Sequence, residues 1–328
     1  MSKNFKTLML LKCVTKQKYA KDFLEFGKLK FGKPQEWIDA WEKEGSGRGD
    51  LLEGSFASII RSNYGQANFY KLLRNNTIEI VDPRNGHIHF QSKDVLDLPT
   101  CCFFGLNDNM FKTMSKGEDG NEYPSGKIKK SYFRDFAKNL DKTAYENCPE
   151  DEKPALIMIS NPKEFRRRIE TYFIKNGVEL SEIIYYPVKY VDKCKAFNIQ
   201  APPPYELFTK DDKFSNQNEI RLVLNTKNEK FLKKLNESNG IVELGNMSDI
   251  ASIEEYYFED FTMQKRGNTL IYSLSTPRLE KLPQDMTDFL NNIKSTDTVT
   301  AYQTINGKKC PLIVERDEKT GDIISIHP

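Results

Sequence analysis

Apolar and polar positions alternate or recur along the chain with two periods, and these mark out most of its expected elements. Thr7 to Val14 is a strand-like apolar run; Gln17 to Phe26 follows with Tyr19, Phe23 and Phe26 at helical spacing, and Gly27 closes the turn. Leu29 to Phe31 opens a second strand, and Pro34 with Trp37 and Trp41 one turn apart predicts a short helix that gives out in Glu44-Gly45-Ser46-Gly47-Arg48-Gly49-Asp50. Thr77 to Val81 and His87 to Gln91 bracket Asp82-Pro83-Arg84-Asn85-Gly86, which is hairpin chemistry. Cys101 to Leu106 reads as a buried strand, Lys116 to Lys130 as a long mobile loop, and Tyr132 to Leu140 as a helix. Ala155 to Ser160 is a strand, Asn161-Pro162 a helix cap with proline in the first turn, and Lys163 to Lys175 a helix carrying Phe165, Ile169 and Phe173. Ile183 to Val191 and Glu219 to Leu224 are strands on either side of Ala201-Pro202-Pro203-Pro204.

Beyond Asn225 the character shifts toward Asn, Lys and Glu. Phe231 to Leu235 is helical, Leu270 to Leu274 and Thr298 to Tyr302 are strands, and Cys310 to Glu315 with Asp322 to Ile326 forms a second hairpin. Strands that do not alternate regularly with helices predict an α+β chain rather than a doubly wound one. The expected domains are a core over 1–225 and a C-terminal α/β extension over 226–328 packed on that core, its last part β-rich.

Composition narrows the partners. With 49 Lys+Arg against 47 Asp+Glu the net charge is +2, which excludes a strongly basic nucleic-acid clamp or an acidic tail as a global description. Six cysteines lie without a CxxC, and with three histidines this is neither a disulfide framework nor a zinc ribbon. No secretory apolar region and no run of the roughly 18–20 apolar residues that cross a bilayer occurs, so the expectation is a cytoplasmic protein without membrane contact.

The sequence has no G-x-x-x-x-G-K-[ST], G-x-G-x-x-G, G-x-S-x-G or H-E-x-x-H. His87 and His89 would share one strand face, where two solvent-facing polar positions is the simpler reading and a metal site the sharper one. Arg48, Asp50 and Glu53 sit in a glycine-flanked segment: an arginine forks onto phosphate, and the acids would orient it or bind a ribose hydroxyl, unless the segment is a solvated loop with an internal ion pair. Lys163, Arg166, Arg167 and Arg168 give one helix a basic face suited to phosphates, or simply to solvent. Gln217 and Glu219, two apart at the head of a strand, would project from one face. A carboxylate facing a developing oxocarbenium ion beside an amide that positions a nucleophile is chemistry at a sugar carbon.

The strand–helix–glycine unit over Lys12 to Gly27, Arg-Gly-Asp-Leu-Leu-Glu-Gly, Gln-Asn-Glu-Ile-Arg and Glu243 to Ile250 resemble, in this order over roughly residues 7 to 250, a family of bacterial proteins tied to phage defence. The core of that family is similar to the ADP-ribosyltransferase fold. The resemblance implies a split mixed sheet around a NAD cleft and a toxin or anti-phage effector that transfers ADP-ribose from NAD to a protein or nucleic acid, with room for a neutralising partner protein. Glu219 would then hydrogen-bond the nicotinamide ribose, Gln217 would orient the acceptor, and Lys12, Arg48, Asp50, Glu53 and Arg221 would hold NAD. Lys12 stands where such transferases carry Arg or His, and Thr100-Cys101-Cys102 where they carry Ser-Thr-Ser. The rival readings are a metal-dependent nuclease, in which Asp50, Glu53 and Glu219 gather Mg²⁺, and a sensor module using the 116–130 loop.

Overall fold

The computed structural model describes residues 7–44, 50–66, 78–81, 86–117, 119–134, 142–199, 202–255, 260–266 and 269–273, and the backbone course of 300–305, 308–316 and 323–327. In chain order the first elements are β1 (Thr7–Val14), α1 (Gln17–Phe26), β2 (Lys28–Lys30), α2 (Pro34–Glu44), β3 (Ser55–Ile60), β4 (Ile78–Val81), β5 (His87–Ser92), α3 (Lys93–Leu96) and β6 (Thr100–Asn107). Next come β7 (Thr113–Lys116), β8 (Glu122–Ile128), α4 (Lys130–Arg134), α5 (Lys142–Glu146), β9 (Ala155–Ile159), α6 (Pro162–Lys175), β10 (Ile183–Pro187), β11 (Lys189–Val191), β12 (Phe197–Asn198) and β13 (Thr209–Asp211). The chain continues through β14 (Glu219–Leu224), α7 (Glu229–Glu237), β15 (Ile241–Glu243), β16 (Ala251–Glu255), β17 (Phe261–Arg266), β18 (Thr269–Ser273), β19 (Thr300–Ile305), β20 (Lys308–Arg316) and β21 (Ile323–His327).

Two compact units result, one of Met1–Asp108 with Lys129–Phe258 and one of Asn109–Ile128 with Glu259–Pro328. The first unit is built on a sheet of order β10-β14-β6-β1-β9-β16 in which every neighbouring pair is antiparallel. The architecture is α+β; the sheet expected to be mixed is antiparallel, and the parallel pair among the described residues is the short β11–β13 ladder. Segment 226–255 joins the first unit through its strands, β15 pairing with β2 and β16 with β9. A second sheet of the same unit has the order β12-β3-β5-β4.

Local chemistry explains the helices that cover the sheet. Asn161 accepts the Glu164 N–H and Pro162 takes the first turn, so α6 starts where its orphan donors are answered. Phe165, Ile169 and Phe173 recur on one stripe and are buried. Gly27 ends α1 at φ 65° with its N–H on the Phe23 carbonyl, and a Cβ there would collide with the Gly245 carbonyl. One face of the sheet, including Leu10, Cys101, Phe103, Ile157, Ile220 and Leu222, packs on these helices. At the centre the Phe173 ring meets Phe31 at 5.6 Å and Phe231 at 5.5 Å, both edge to face. Each such ring contributes about 1.5–3 kcal/mol by leaving water.

The second unit contains a sheet of order β18-β17-β8-β7 and a three-stranded sheet β19-β20-β21. The segment 116–130, expected as a loop, supplies β8 and pairs with β7 from Thr113↔Ser125 to Lys116↔Glu122. Gly117, Asp119 and Gly120 belong to the tight turn between strands, with Gly120 at φ 75°, and Tyr123 and Ser125 lie in the ladder. The single strand expected over Ile183–Val191 is two: β10 runs on β14 to Pro187, after which β11 joins β13. Residues 82–85, 135–141 and 317–322, read from sequence as turns and part of a helix, lie outside the described residues.

Candidate active site

Strands β1 and β6 pair from Thr7↔Asn107 to Leu11↔Phe104, whereas β1 stays with β9 as far as Val14↔Ala155 and β6 with β14 as far as Thr100↔Val223. The sheet therefore divides after Leu11 and Phe104 into two three-stranded halves. A cavity of about 1190 Å³ opens there, lined by Lys12 and Cys13 of β1, Cys101 to Phe103 of β6, Trp37, Tyr132, Lys210, Gln217 and Glu219.

Register decides which side chains meet. Glu219 lies opposite Phe104, which lies opposite Leu11, so these three share one face; Lys12 belongs to the other, with Phe103 and Ile220. The Lys12 ammonium reaches into the split, donating to the Cys102 carbonyl at 3.0 Å and to Cys101 Sγ at 3.4 Å, over the Phe103 ring at 5.1 Å. It spans the two halves where backbone pairing has stopped.

Gln217 and Glu219 line the same cavity, though not by strand alternation. β14 begins at Glu219; Gln217 ends a 3₁₀ turn over Asp212–Gln217, and Asn218 between them is left-handed at φ 38°. Asn218 holds that kink through Gly105, receiving the Gly105 N–H at 2.8 Å and donating to its carbonyl. Lys210 of β13 joins the pair, its ammonium donating to Gln217 Oε1 at 2.7 Å and Glu219 Oε2 at 3.0 Å. The Glu219 N–H donates to the Tyr190 hydroxyl at 2.8 Å.

Arg221, one turn of the pleat along, is fully buried, and its donors are spent on the protein. Nε binds Glu219 Oε1 at 2.5 Å, Nη2 binds Glu53 Oε2 at 3.0 Å, and Nη1 reaches Glu53 Oε1 and the Leu207 carbonyl. The guanidinium lies 5.0 Å from the centre of the Trp37 ring. Burial alone would raise the Glu219 carboxyl, but Arg221 and Lys210 hold it well below the usual carboxylate range, so the group is ionised at any working pH. Burial raises the Cys102 thiol, and the neighbouring Glu219 charge raises it further. Tyr132 is likewise raised by burial. Both stay neutral.

The residues expected to hold NAD are placed unequally. Lys12 lines the cavity, while Asp50, Glu53 and Arg221 do not. Asp50 accepts the Leu52 N–H at 3.0 Å and is 2% exposed; Glu53, at 0%, backs Arg221. The Asp50–Gly54 segment thus orients Glu219 from behind through one guanidinium. Arg48 lies outside the described residues. The cation gathered between Glu53 and Glu219 is Arg221 itself, and among the described residues no group of three His, Cys, Asp or Glu side chains is arranged to hold a metal. The α6 arginines, weighed as a phosphate face against a solvated one, are paired on the helix surface: Arg166 with Glu170, Arg167 with Glu164, and Arg168 with Glu164 and Asp249.

His89 departs from the solvent face expected of its hairpin. Within β5, between β3 and β4, His89 is fully buried on its face of the sheet, 6.0 Å from the Phe197 ring, and burial lowers its pKa to about 4. Lys210, Tyr190 and Trp37 were invisible as site residues in the sequence. Lys210 sits in Phe-Thr-Lys-Asp, and nothing in that spelling tells a bridging lysine from a solvated one. No protein-family model, curated protein or solved structure matches this chain. Among the described residues no helix is long and apolar enough to cross a membrane.

Proposed function

We propose that this chain is an ADP-ribosyltransferase-like enzyme that transfers ADP-ribose from NAD to a macromolecule, as a bacterial toxin or anti-phage effector. The observation that carries the reading is the meeting of Gln217 and an ionised Glu219 in one large cavity where the central sheet splits. The residues present fit a dinucleotide: the volume of about 1190 Å³ is ample, Trp37 and Tyr132 offer aromatic faces, and Lys12 offers a cation in the split. NAD would supply an activated ribose whose C1′–nicotinamide bond breaks with positive charge developing at C1′.

Glu219 supports that step by placing a fixed negative charge beside the sugar and accepting a ribose hydroxyl. Arg221 keeps the carboxylate ionised and oriented, and Glu53 keeps Arg221 in place. Gln217, held through its oxygen by Lys210, faces the nucleophile.

The test is labelled NAD incubated with the protein and a lysate containing protein and RNA. Label should pass to a polymer with wild type and not with Glu219→Gln, whose fold should be unchanged. Transfer undiminished in Glu219→Gln, or no NAD consumption by wild type, overturns the reading.

A further inference from the structure

Two lysines of one turn have opposite fates. Lys195 is exposed and pairs with Asp192 at 2.9 Å, whereas Lys193, two residues earlier, has no exposed surface. A lysine is almost never fully buried unless its charge is answered. The Lys193 ammonium donates to the Leu52 carbonyl at 2.6 Å; burial pushes its pKa down, and the nearby Asp50 and Glu53 carboxylates pull it back up. Asp50 spends Oδ1 on the Leu52 N–H and has no hydrogen-bond partner at Oδ2, so its charge is left to the field of Lys193.

Segment 50–54 lies in no strand ladder. Turn bonds shape it, from the Glu53 N–H to the Asp50 carbonyl and from the Ser55 N–H to the Leu52 carbonyl, both at 3.2 Å. Two buried side chains grip it from outside: Gln91 donates to the Leu51 carbonyl at 2.5 Å, and Lys193 to the Leu52 carbonyl. Glu53 follows directly, and its carboxylate takes the Arg221 fork whose Nε binds Glu219. The buried cations Lys193, Arg221 and Lys210 thus stand against the buried carboxylates Asp50, Glu53 and Glu219, while Asp211 has Lys213 at 3.4 Å.

Resting on the transferase reading for what Glu219 does, we propose that Lys193 is a positioning residue of the active site: it neutralises Asp50 and pins the Leu52 carbonyl, so that Glu53 meets Arg221 and Arg221 holds Glu219. Lys193 does not line the cavity, so it acts through these residues and not on a substrate. Without its charge, Asp50 and Glu53 repel each other in one buried turn, and the movement of Glu53 carries Arg221 off Glu219.

Lys193→Met keeps most of the side-chain length and removes the charge; combining it with Asp50→Asn removes one charge of each sign. The first readout is hydrogen exchange at the Arg221 Nε–H, followed by NMR in arginine-labelled full-length protein, identified by its absence from Arg221→Met and compared with the Ile157 amide of β9. In Lys193→Met the Arg221 Nε–H should exchange about tenfold faster relative to Ile157, the size of one charge-assisted hydrogen bond lost locally. The second readout is NAD consumption, in which kcat should fall about tenfold to a hundredfold at little-changed KM, the scale of a small misplacement near the reacting atoms. The double variant should return both readouts toward wild type.

Arg221 Nε–H and Ile157 exchange that quicken together in Lys193→Met, or do not change, overturn the proposal and leave Lys193 a structural anchor. If Lys193→Met does not fold, the double variant decides: a folded protein with wild-type protection at Arg221 supports the proposal, and one that fails to fold or to protect Arg221 overturns it. The expected exchange pattern in a protein that consumes no NAD removes the transferase and keeps Lys193 as the residue that positions Glu219.

Discussion

Replacing Arg221 with methionine tests how the site is held together. The guanidinium answers both oxygens of a fully buried Glu53 and one oxygen of Glu219, so its removal leaves two carboxylates in the interior, Glu219 with the Lys210 ammonium and Glu53 with the weaker, unbonded pull of the buried Lys193. Breaking a buried pair by removing one partner costs about 3–5 kcal/mol, because the remaining charge stays desolvated. At roughly 2–4 °C per kcal/mol for a unit of this size, Arg221→Met should melt about 6–20 °C below wild type.

The pH dependence has a definite sign. In the wild type the folded Glu219 pKa lies below its ordinary 4.5, so its contribution is complete above pH 4.5 and is lost as pH falls toward the folded value. In the variant Glu219 loses the guanidinium that holds it down and titrates higher, so part of its contribution is lost as pH rises through the new value. The gap between the two proteins should therefore be widest at neutral pH and should narrow on acidification toward pH 4.5. Thermal melts followed by circular dichroism across that range measure it, and adding Glu53→Gln to Arg221→Met should recover part of the loss. A variant that melts with wild type at pH 7, or a gap that does not change with pH, would refute the electrostatic account of the site.

Three further outcomes follow from the packing. His89 ionises near 4 when folded against an ordinary 6.5, so the unfolded chain takes up the proton first and stability should fall as pH drops from 6.5 toward 4; His89→Phe should flatten that part of a urea-denaturation profile. A Cβ at Gly105 would collide with both Cδ1 and Cγ1 of the buried Ile220, so Gly105→Ala should cost about 1–3 kcal/mol in the same assay. Removing the α6 cap with Asn161→Ala should cost about 1 kcal/mol and leave activity intact, because the Asn161–Glu164 contact lies at the helix start and outside the cavity lining.

The elements legible in the sequence were those whose cause is local. β1 and α1, with Gly27 after it, α2 from Pro34, the capped α6 and β14 begin or end at residues whose periodicity, capping or φ preference acts within a few positions. Glu219 was legible in the same way, as an acid at the head of an apolar strand. Segment 116–130 was not, because its Gly and Asp content reads the same in an open loop and in the turn of a hairpin, and only pairing between β7 and β8 distinguishes them.

What joins residues far apart in sequence was decided by the tertiary structure alone. Gln217 and Glu219 reach one cavity through a left-handed Asn218 and a lysine from another strand, and not through the two-residue period that pointed to them. Asp50 and Glu53 look from sequence like residues waiting for a ligand; burial turns Glu53 into the counter-charge of Arg221, 168 positions away. Lys12 and Glu219 occupy opposite faces by register and yet line one space, because β1 and β6 part after Leu11 and Phe104. Periodicity and caps are written within a turn or two of chain. The partner of a buried charge depends on which strands lie side by side, and that is settled only when the whole sheet has formed.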